Sequence, residues 1–240
     1  MASPTASTAK LDRTNERDVP DRALAIMAKA PRPGHVKTRL ARALAADDVV
    51  ALYQCLIEDT LRLARSIRTD ALAVVCPVAD ADDLARWLPG IEIVAQRGEG
   101  LAAGLASVFR IFGDRGYRSV IALGGDSPHL DRATVEDAFR RLDGADVVVG
   151  PTIDGGYYLV GAGVVDGELF DGGTLGTESA LDSLLTRARE RGLRVAFTVE
   201  AYDVDEKDDL ERLADDLRLA PGGAPRTAAW LAEWRARRGR

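Results

Sequence analysis

The stretch Ser119-Val120-Ile121-Ala122-Leu123-Gly124-Gly125-Asp126-Ser127-Pro128 decides the fold. Its first five residues read as a short apolar strand. The two glycines let the chain turn sharply, and the turn presents Asp126 before a helix predicted over Arg132–Leu142. A strand this apolar belongs to a sheet covered on both faces, and a strand that feeds a helix is the unit of a parallel sheet.

The same alternation extends in both directions. Strands are predicted at Ala23–Ala28, Ala71–Cys76, Ile91–Ala95, Ala145–Val149, Tyr157–Gly161 and Leu193–Thr198. Val49, Leu52, Tyr53, Leu56, Thr60, Leu63, Ala64 and Ile67 recur at helical spacing and predict one long helix with a single buried stripe. Further helices are predicted over Asp80–Leu88, where Asp80 suits the helix start, and over Gly100–Phe112, Thr177–Arg191 and Lys207–Leu219. The fold class is α/β, with a mostly parallel central sheet and no internal repeat.

Residues 1–22 are polar throughout and read as a disordered arm without a secretory signal. Residues 23–220 form the main domain. Residues 221–240 are a Pro/Gly linker followed by an amphipathic helix, whose Trp230 and Trp234 lie on one face and dock it back onto the domain.

The chain has 240 residues with 32 Lys plus Arg against 38 Asp plus Glu, a net charge of −6 that argues against nucleic acid as the main partner. Two cysteines, Cys55 and Cys76, lie in apolar stretches and give no disulfide framework, and two histidines are too few for a His-rich metal site. No run approaches the roughly 18 apolar residues of a membrane span. A cytoplasmic protein is the expectation.

Ligands of open α/β sheets bind beyond the carboxyl ends of the strands, which singles out four segments. The first, Ala28–Leu40, carries Lys29, Arg32, Lys37 and Arg39 and runs into a helix start that favours anions. Lys37 suits a phosphate as a point charge and Arg39 as a bidentate fork, although a solvated basic loop has the same composition. The second, Gly124–Pro128, offers Asp126 to a hard cation such as Mg²⁺, or else as a helix cap, a task open also to Ser127 or Asp131. The third, Gly150–Tyr158, places Asp154 before two glycines, which is also an ordinary hairpin turn. The fourth is Tyr202–Leu210. Asp203 and Asp205 there point the same way, while Asp208 and Asp209 are better explained as acid at a helix start.

In order, these segments resemble the radical-SAM/selenodomain-associated transferase 1 family, of the domain-of-unknown-function 2064 type within the GT-A superfamily of nucleotide-diphospho-sugar transferases. The resemblance rests on Pro33-Gly34-x-Val36-Lys37-Thr38-Arg39-Leu40, Gly124–Pro128, Gly150–Tyr158, and Asp203-Val204-Asp205 with Asp209-Leu210. More distantly the chain is similar to 2-phospho-L-lactate guanylyltransferase and the molybdenum-cofactor guanylyltransferases.

The resemblance implies a GT-A, Rossmann-like three-layer sandwich and a transferase that uses Mg²⁺ or Mn²⁺ and a nucleotide-activated donor. Asp126 would bind the metal, with Asp205 as second ligand and Asp203 as its substitute. Lys29, Lys37, Thr38 and Arg39 would hold phosphates, with Gln96, Gly98 and Gly100 at the base or donor. Asp154, Gly155, Gly156 and Tyr157 would line the acceptor side. Lys37, Arg39 and Asp154 would serve catalysis.

Glycosyl transfer from a nucleotide sugar to a small molecule leads this reading. Nucleotidyl transfer from a nucleoside triphosphate is its alternative, and a non-catalytic nucleotide-binding module stands third. The chain departs from the family pattern at Gly125 (Thr in relatives), Ser127 (Cys) and Leu175 (Trp).

Overall fold

The computed structural model describes residues 21–163, 167–170, 180–220 and 222–238. Seven strands form one sheet: β1 Arg22–Met27, β2 Ala71–Cys76, β3 Glu92–Ala95, β4 Ser119–Gly124, β5 Val147–Pro151, β6 Tyr157–Ala162 and β7 Val195–Phe197. Their order is β3-β2-β1-β4-β6-β5-β7. All pairings are parallel except those of β6, which runs antiparallel between β4 and β5. The fold class read from the sequence therefore holds, with one reversed strand. Its cause is local, since Asp154-Gly155 turns β5 straight back into β6, with Gly155 at φ +86°.

The described residues form seven α-helices: α1 Ala46–Ser66, α2 Ala81–Trp87, α3 Gly100–Asp114, α4 Arg132–Arg141, α5 Ala180–Glu190, α6 Lys207–Leu219 and α7 Pro225–Arg238. On one face Tyr53, Ile57 and Leu61 of α1 pack with Leu84 of α2 and Val135 and Phe139 of α4. On the other face Leu105, Phe109 and Phe112 of α3 pack with Leu184 and Ala188 of α5. These are the three layers that the resemblance implies.

The expected single stripe on α1 is corrected. Val49, Leu52 and Leu56 turn away from the sheet and join Leu210 and Leu213 of α6 and Leu231 and Trp234 of α7 in a third cluster. The helix is buried on two sides because α7 docks on it. Trp230 and Trp234 stack with ring centroids 6.2 Å apart. Buried Asp59 of α1 accepts the Arg226 and Thr227 amides, supplying α7 with the negative charge that a helix N-terminus favours. Cys76 is buried, Cys55 is half-buried, and both are free thiols. The arm at 1–20, Leu175 and the first residues of the helix predicted from Thr177 lie outside the described residues. Among the described residues no helix is long and apolar enough to cross a membrane.

Candidate functional site

Strand order reverses between β1 and β4, so the loops leaving these two strands diverge to opposite faces and leave a crevice at their carboxyl ends. Lys37 comes from the first loop, Asp126 from the second, and Asp205 from the segment after β7. The three meet there. Lys37 Nζ lies 2.5 Å from Asp126 Oδ2 and 2.9 Å from Asp205 Oδ1, while Arg39 reaches Asp205 Oδ2 at 3.4 Å.

The Lys37 side chain is only 5% exposed. Burial by itself would depress its pKa, but the Asp126 and Asp205 carboxylates outweigh burial and hold the ammonium above the ordinary lysine value. Burial likewise opposes ionisation of Asp126, and Lys37 overcomes it, leaving that carboxyl below the ordinary range. Lys37 has φ +44°, the one left-handed residue other than glycine among those described. Such a backbone costs about 1–3 kcal/mol and persists where surroundings enforce it, here two carboxylates from distant segments.

The loop that carries Lys37 is fastened by a residue that the sequence reading placed only at a helix start. Asp80 is fully buried and accepts the Ala30 amide at 3.1 Å, His35 Nε2 at 2.9 Å, and Arg32, which also pairs with Asp83 at 3.1 Å. Burial would raise the Asp80 pKa, but His35, the amide and Arg32 together hold it below the ordinary carboxylate value. Arg32 is thereby committed to the scaffold. Buried Tyr53 of α1 adds a second fastening, its hydroxyl accepting the Lys29 amide at 2.9 Å. Nothing in the sequence marks Asp80 beyond its place after β2, because its partners lie about fifty residues away.

Lys29, Lys37, Thr38, Arg39, Gln96, Gly98, Gly100, Asp126 and Asp205 all line one cleft of about 1070 Å³. Gln96 is buried and spends its amide nitrogen on the carbonyls of Gly98 (2.9 Å) and Gly100 (3.2 Å), so it shapes the loop after β3. Gly98 and Gly100 have φ +81° and +83°, which L-residues rarely adopt. Val78 and Leu101, 68% and 43% exposed, give the cleft apolar walls that the sequence reading did not single out.

Asp154, Gly155, Gly156 and Tyr157 stand on the same sheet edge, at the β5–β6 turn, but do not line this cleft. Asp154 Oδ1 takes the Thr152 hydroxyl at 2.6 Å and the Gly156 amide at 3.2 Å. Asp203 is pushed up to about 7 by burial first and then by carboxylates of both groups, Asp126, Asp154 and Asp205, with Lys37 opposing. Asp205, not Asp203, holds Lys37 and Arg39.

The alternatives open for helix starts are resolved. Asp131 caps α4 by accepting the Thr134 amide, leaving Asp126 free of that task. Asp209 accepts the Asp205 and Glu206 amides at the start of α6. Two of the three departures from the family pattern, Gly125 and Ser127, lie among the described residues. A Cβ on Gly125 would strike Ile57 Cδ1 and come within 2.8 Å of the Met27 carbonyl, so Thr there needs both a smaller partner on α1 and a shift of the backbone at the end of β1. Ser127 is fully buried with no hydrogen-bond partner for Oγ, a setting that a cysteine fills at less cost.

A divalent cation fits this donor set in one way. Among the described residues no three Asp, Glu, His or Cys side chains form a protein-only cage. Asp126 and Asp205 nonetheless converge on one cation position, marked by the Lys37 ammonium. One or two carboxylates completed by phosphate and water is the usual coordination of Mg²⁺ on a nucleotide.

No curated protein matches the chain. Among solved structures, a candidate nucleotide-diphospho-sugar transferase from Desulfovibrio desulfuricans G20 is 29% identical, with a TM-score of 0.83, and the match covers 90% of this chain and 95% of that one. A nucleotidyl transferase from Methanothermobacter thermautotroptrophicus (21% identity, TM-score 0.56, 83% and 99% covered) shares the fold. So does Rv0371c of Mycobacterium tuberculosis H37Rv, solved in complex with manganese (21% identity, TM-score 0.50, 81% and 97% covered). The sequence profile of DUF2064, described as "uncharacterized protein conserved in bacteria", matches residues 56–177, which hold the Asp126 and Asp154 motifs. With half of its length matched to that profile, the chain belongs to the DUF2064 family.

Proposed function

We propose that the protein is a divalent-metal-dependent transferase that takes a nucleotide-activated donor into the cleft and moves a glycosyl group to a small-molecule acceptor. Within DUF2064 this reading places it with the radical-SAM/selenodomain-associated transferase 1 group, on the motifs around Lys37, Asp126, Asp154 and Asp205. The observation that carries it is the convergence of Asp126 and Asp205 on one cation position at the switch point, beside Arg39. The candidate nucleotide-diphospho-sugar transferase at 29% identity supports the donor class. A cytoplasmic setting, where such donors are made, goes with it.

In the reaction the acceptor hydroxyl oxygen bonds to the donor's anomeric carbon as the bond from that carbon to the diphosphate breaks. The electron pair leaves with the diphosphate, and the hydroxyl proton passes to Asp154. Lys37 and Arg39 bear on the phosphate oxygens where negative charge grows, with Lys29 and Thr38 beside them. Asp126 and Asp205 would hold the Mg²⁺ or Mn²⁺, which would supply charge stabilisation on the leaving group.

Nucleotidyl transfer is the second reading. The cluster of Lys29, Lys37 and Arg39 in one cleft favours it, since a triphosphate carries more charge to neutralise than a nucleotide sugar. A thermal-shift panel of nucleotide sugars and nucleoside triphosphates, each with and without Mn²⁺, separates the two, because a ligand of the native state raises the midpoint according to its affinity. The expected result is Mn²⁺-dependent stabilisation by a nucleotide sugar above any triphosphate. Preference for a triphosphate overturns glycosyl transfer, and binding indifferent to Mn²⁺ leaves the non-catalytic module.

A further inference from the structure

Lys37 does not point its ammonium into open solvent to await a phosphate. It sits between Asp126 and Asp205, buried, at 2.5 and 2.9 Å, on a left-handed backbone. Arg39 lies against the other oxygen of Asp205. Two negative charges are thus met by two positive ones, the buried Lys37 between them and the exposed Arg39 at the rim. A free divalent ion that approaches finds its position held by an ammonium and its ligands already neutralised.

We infer that Lys37 is a built-in counter-cation that closes the metal position to free Mg²⁺ or Mn²⁺, so that the cleft admits its metal as the chelate of a nucleoside polyphosphate. The inference rests on the metal-site reading proposed above and adds the form in which the metal arrives. A polyphosphate supplies what a bare cation lacks, an alternative anionic partner for the ammonium. When Lys37 transfers to phosphate oxygens, both carboxylates lose their counter-charge and turn to the metal that the phosphates bring. Metal and polyphosphate then favour each other's binding, and this coupling is reciprocal. The two carboxylates hold the strained backbone at Lys37 in the closed state, and release of the side chain relieves it.

The test is water-proton relaxation enhancement by Mn²⁺, which rises when manganese is held on the slowly tumbling protein and needs no turnover. Wild type, Lys37→Met and Lys37→Gln are titrated with Mn²⁺ alone, and wild type again with inorganic pyrophosphate present. The variants are expected to bind Mn²⁺ about tenfold more tightly than wild type, within the range usual for coupled sites. Their melting temperatures should rise with Mn²⁺ more than that of wild type, a readout that holds even if loss of the ammonium weakens the fold. Pyrophosphate should bring manganese onto the wild-type protein. Adding Asp126→Asn to Lys37→Met should remove the gain.

Equal Mn²⁺ affinity in wild type and variants, abolished by Asp126→Asn, overturns the counter-cation and leaves the metal site standing. No enhancement in any protein, with or without pyrophosphate, overturns both.

Discussion

Two loops on one sheet edge carry their charges in opposite ways. In the loop after β1 every ionic partner is remote in sequence. Lys37 meets Asp205 across 168 positions, and the Ala30 amide, Arg32 and His35 meet Asp80 across 45 to 50. In the β5–β6 turn Asp154 bonds Thr152 and Gly156, each two residues away. The first arrangement exists only when the whole domain is folded, and it fixes where the cations stand before any ligand arrives. In the second the carboxylate is held within its own turn, and only the turn's backbone reaches out, Ile153 to the Ala201 carbonyl and the Gly155 carbonyl to the Leu181 amide. On the proposed reading the first loop meets the highly charged part of the ligand, and the Asp154 carboxylate, bonded only within its own turn, faces the acceptor.

That contrast is broken most severely at Asp126. Asp126→Ala should abolish turnover while circular dichroism stays native, whereas Asp154→Ala should leave nucleotide affinity unchanged and slow transfer by about 10²–10⁴-fold, the range of general acid–base catalysis. Calorimetry with steady-state rates checks both. Equal losses of nucleotide affinity in the two variants would erase the distinction between the loops.

The next effect is at Asp80. Asp80→Ala leaves the Ala30 amide buried without its acceptor, which should cost about 2 kcal/mol in denaturant unfolding. It should also weaken nucleotide binding, although Asp80 makes its bonds to the loop and leaves phosphate contacts to the cations. Stability lost with unchanged binding would show that the loop holds its shape without this anchor.

The last effect touches stability alone and is a pH window set by His129, which stacks on Tyr202 with centroids 4.2 Å apart and has both ring nitrogens buried without partners. Burial lowers its pKa to about 4, with Arg212 adding to the shift and Asp216 and Asp126 opposing it. The unfolded ring protonates near 6.5, the folded ring only near 4, so its contribution is full above 6.5 and is lost as pH falls toward 4. Asp203, raised to about 7, titrates in the same window with the opposite sign, so the His129 contribution is read as a difference: the stability gap between wild type and His129→Gln should change by about 1–3 kcal/mol between pH 6.5 and 4, wild type losing more as pH falls. The lowered carboxyls of Asp80 and Asp126 act in a separate window, below the ordinary carboxylate value.

Much of the fold was legible because each strand is a continuous apolar run and each helix a periodic one. β2 and α6 fall at the expected residues, Ala71–Cys76 and Lys207–Leu219. The Asp-Gly turn signalled a hairpin, yet the insertion of β6 between β4 and β5 is a matter of sheet order, which no local pattern encodes. At the site, residue type and edge position pointed to Lys37, Asp126 and Asp205. Their mutual pairing, the diversion of Arg32 and His35 to Asp80, and the second buried side of α1 depend on segments brought together only by topology.

The most direct measurement is a crystal structure with nucleotide and Mn²⁺, read by manganese anomalous scattering. The account predicts one peak bonded to Asp126 and Asp205 and to nucleotide phosphate, with the Lys37 ammonium moved from between the carboxylates onto phosphate. A nucleotide bound in the cleft with Lys37 still between Asp126 and Asp205, and manganese elsewhere, would contradict it.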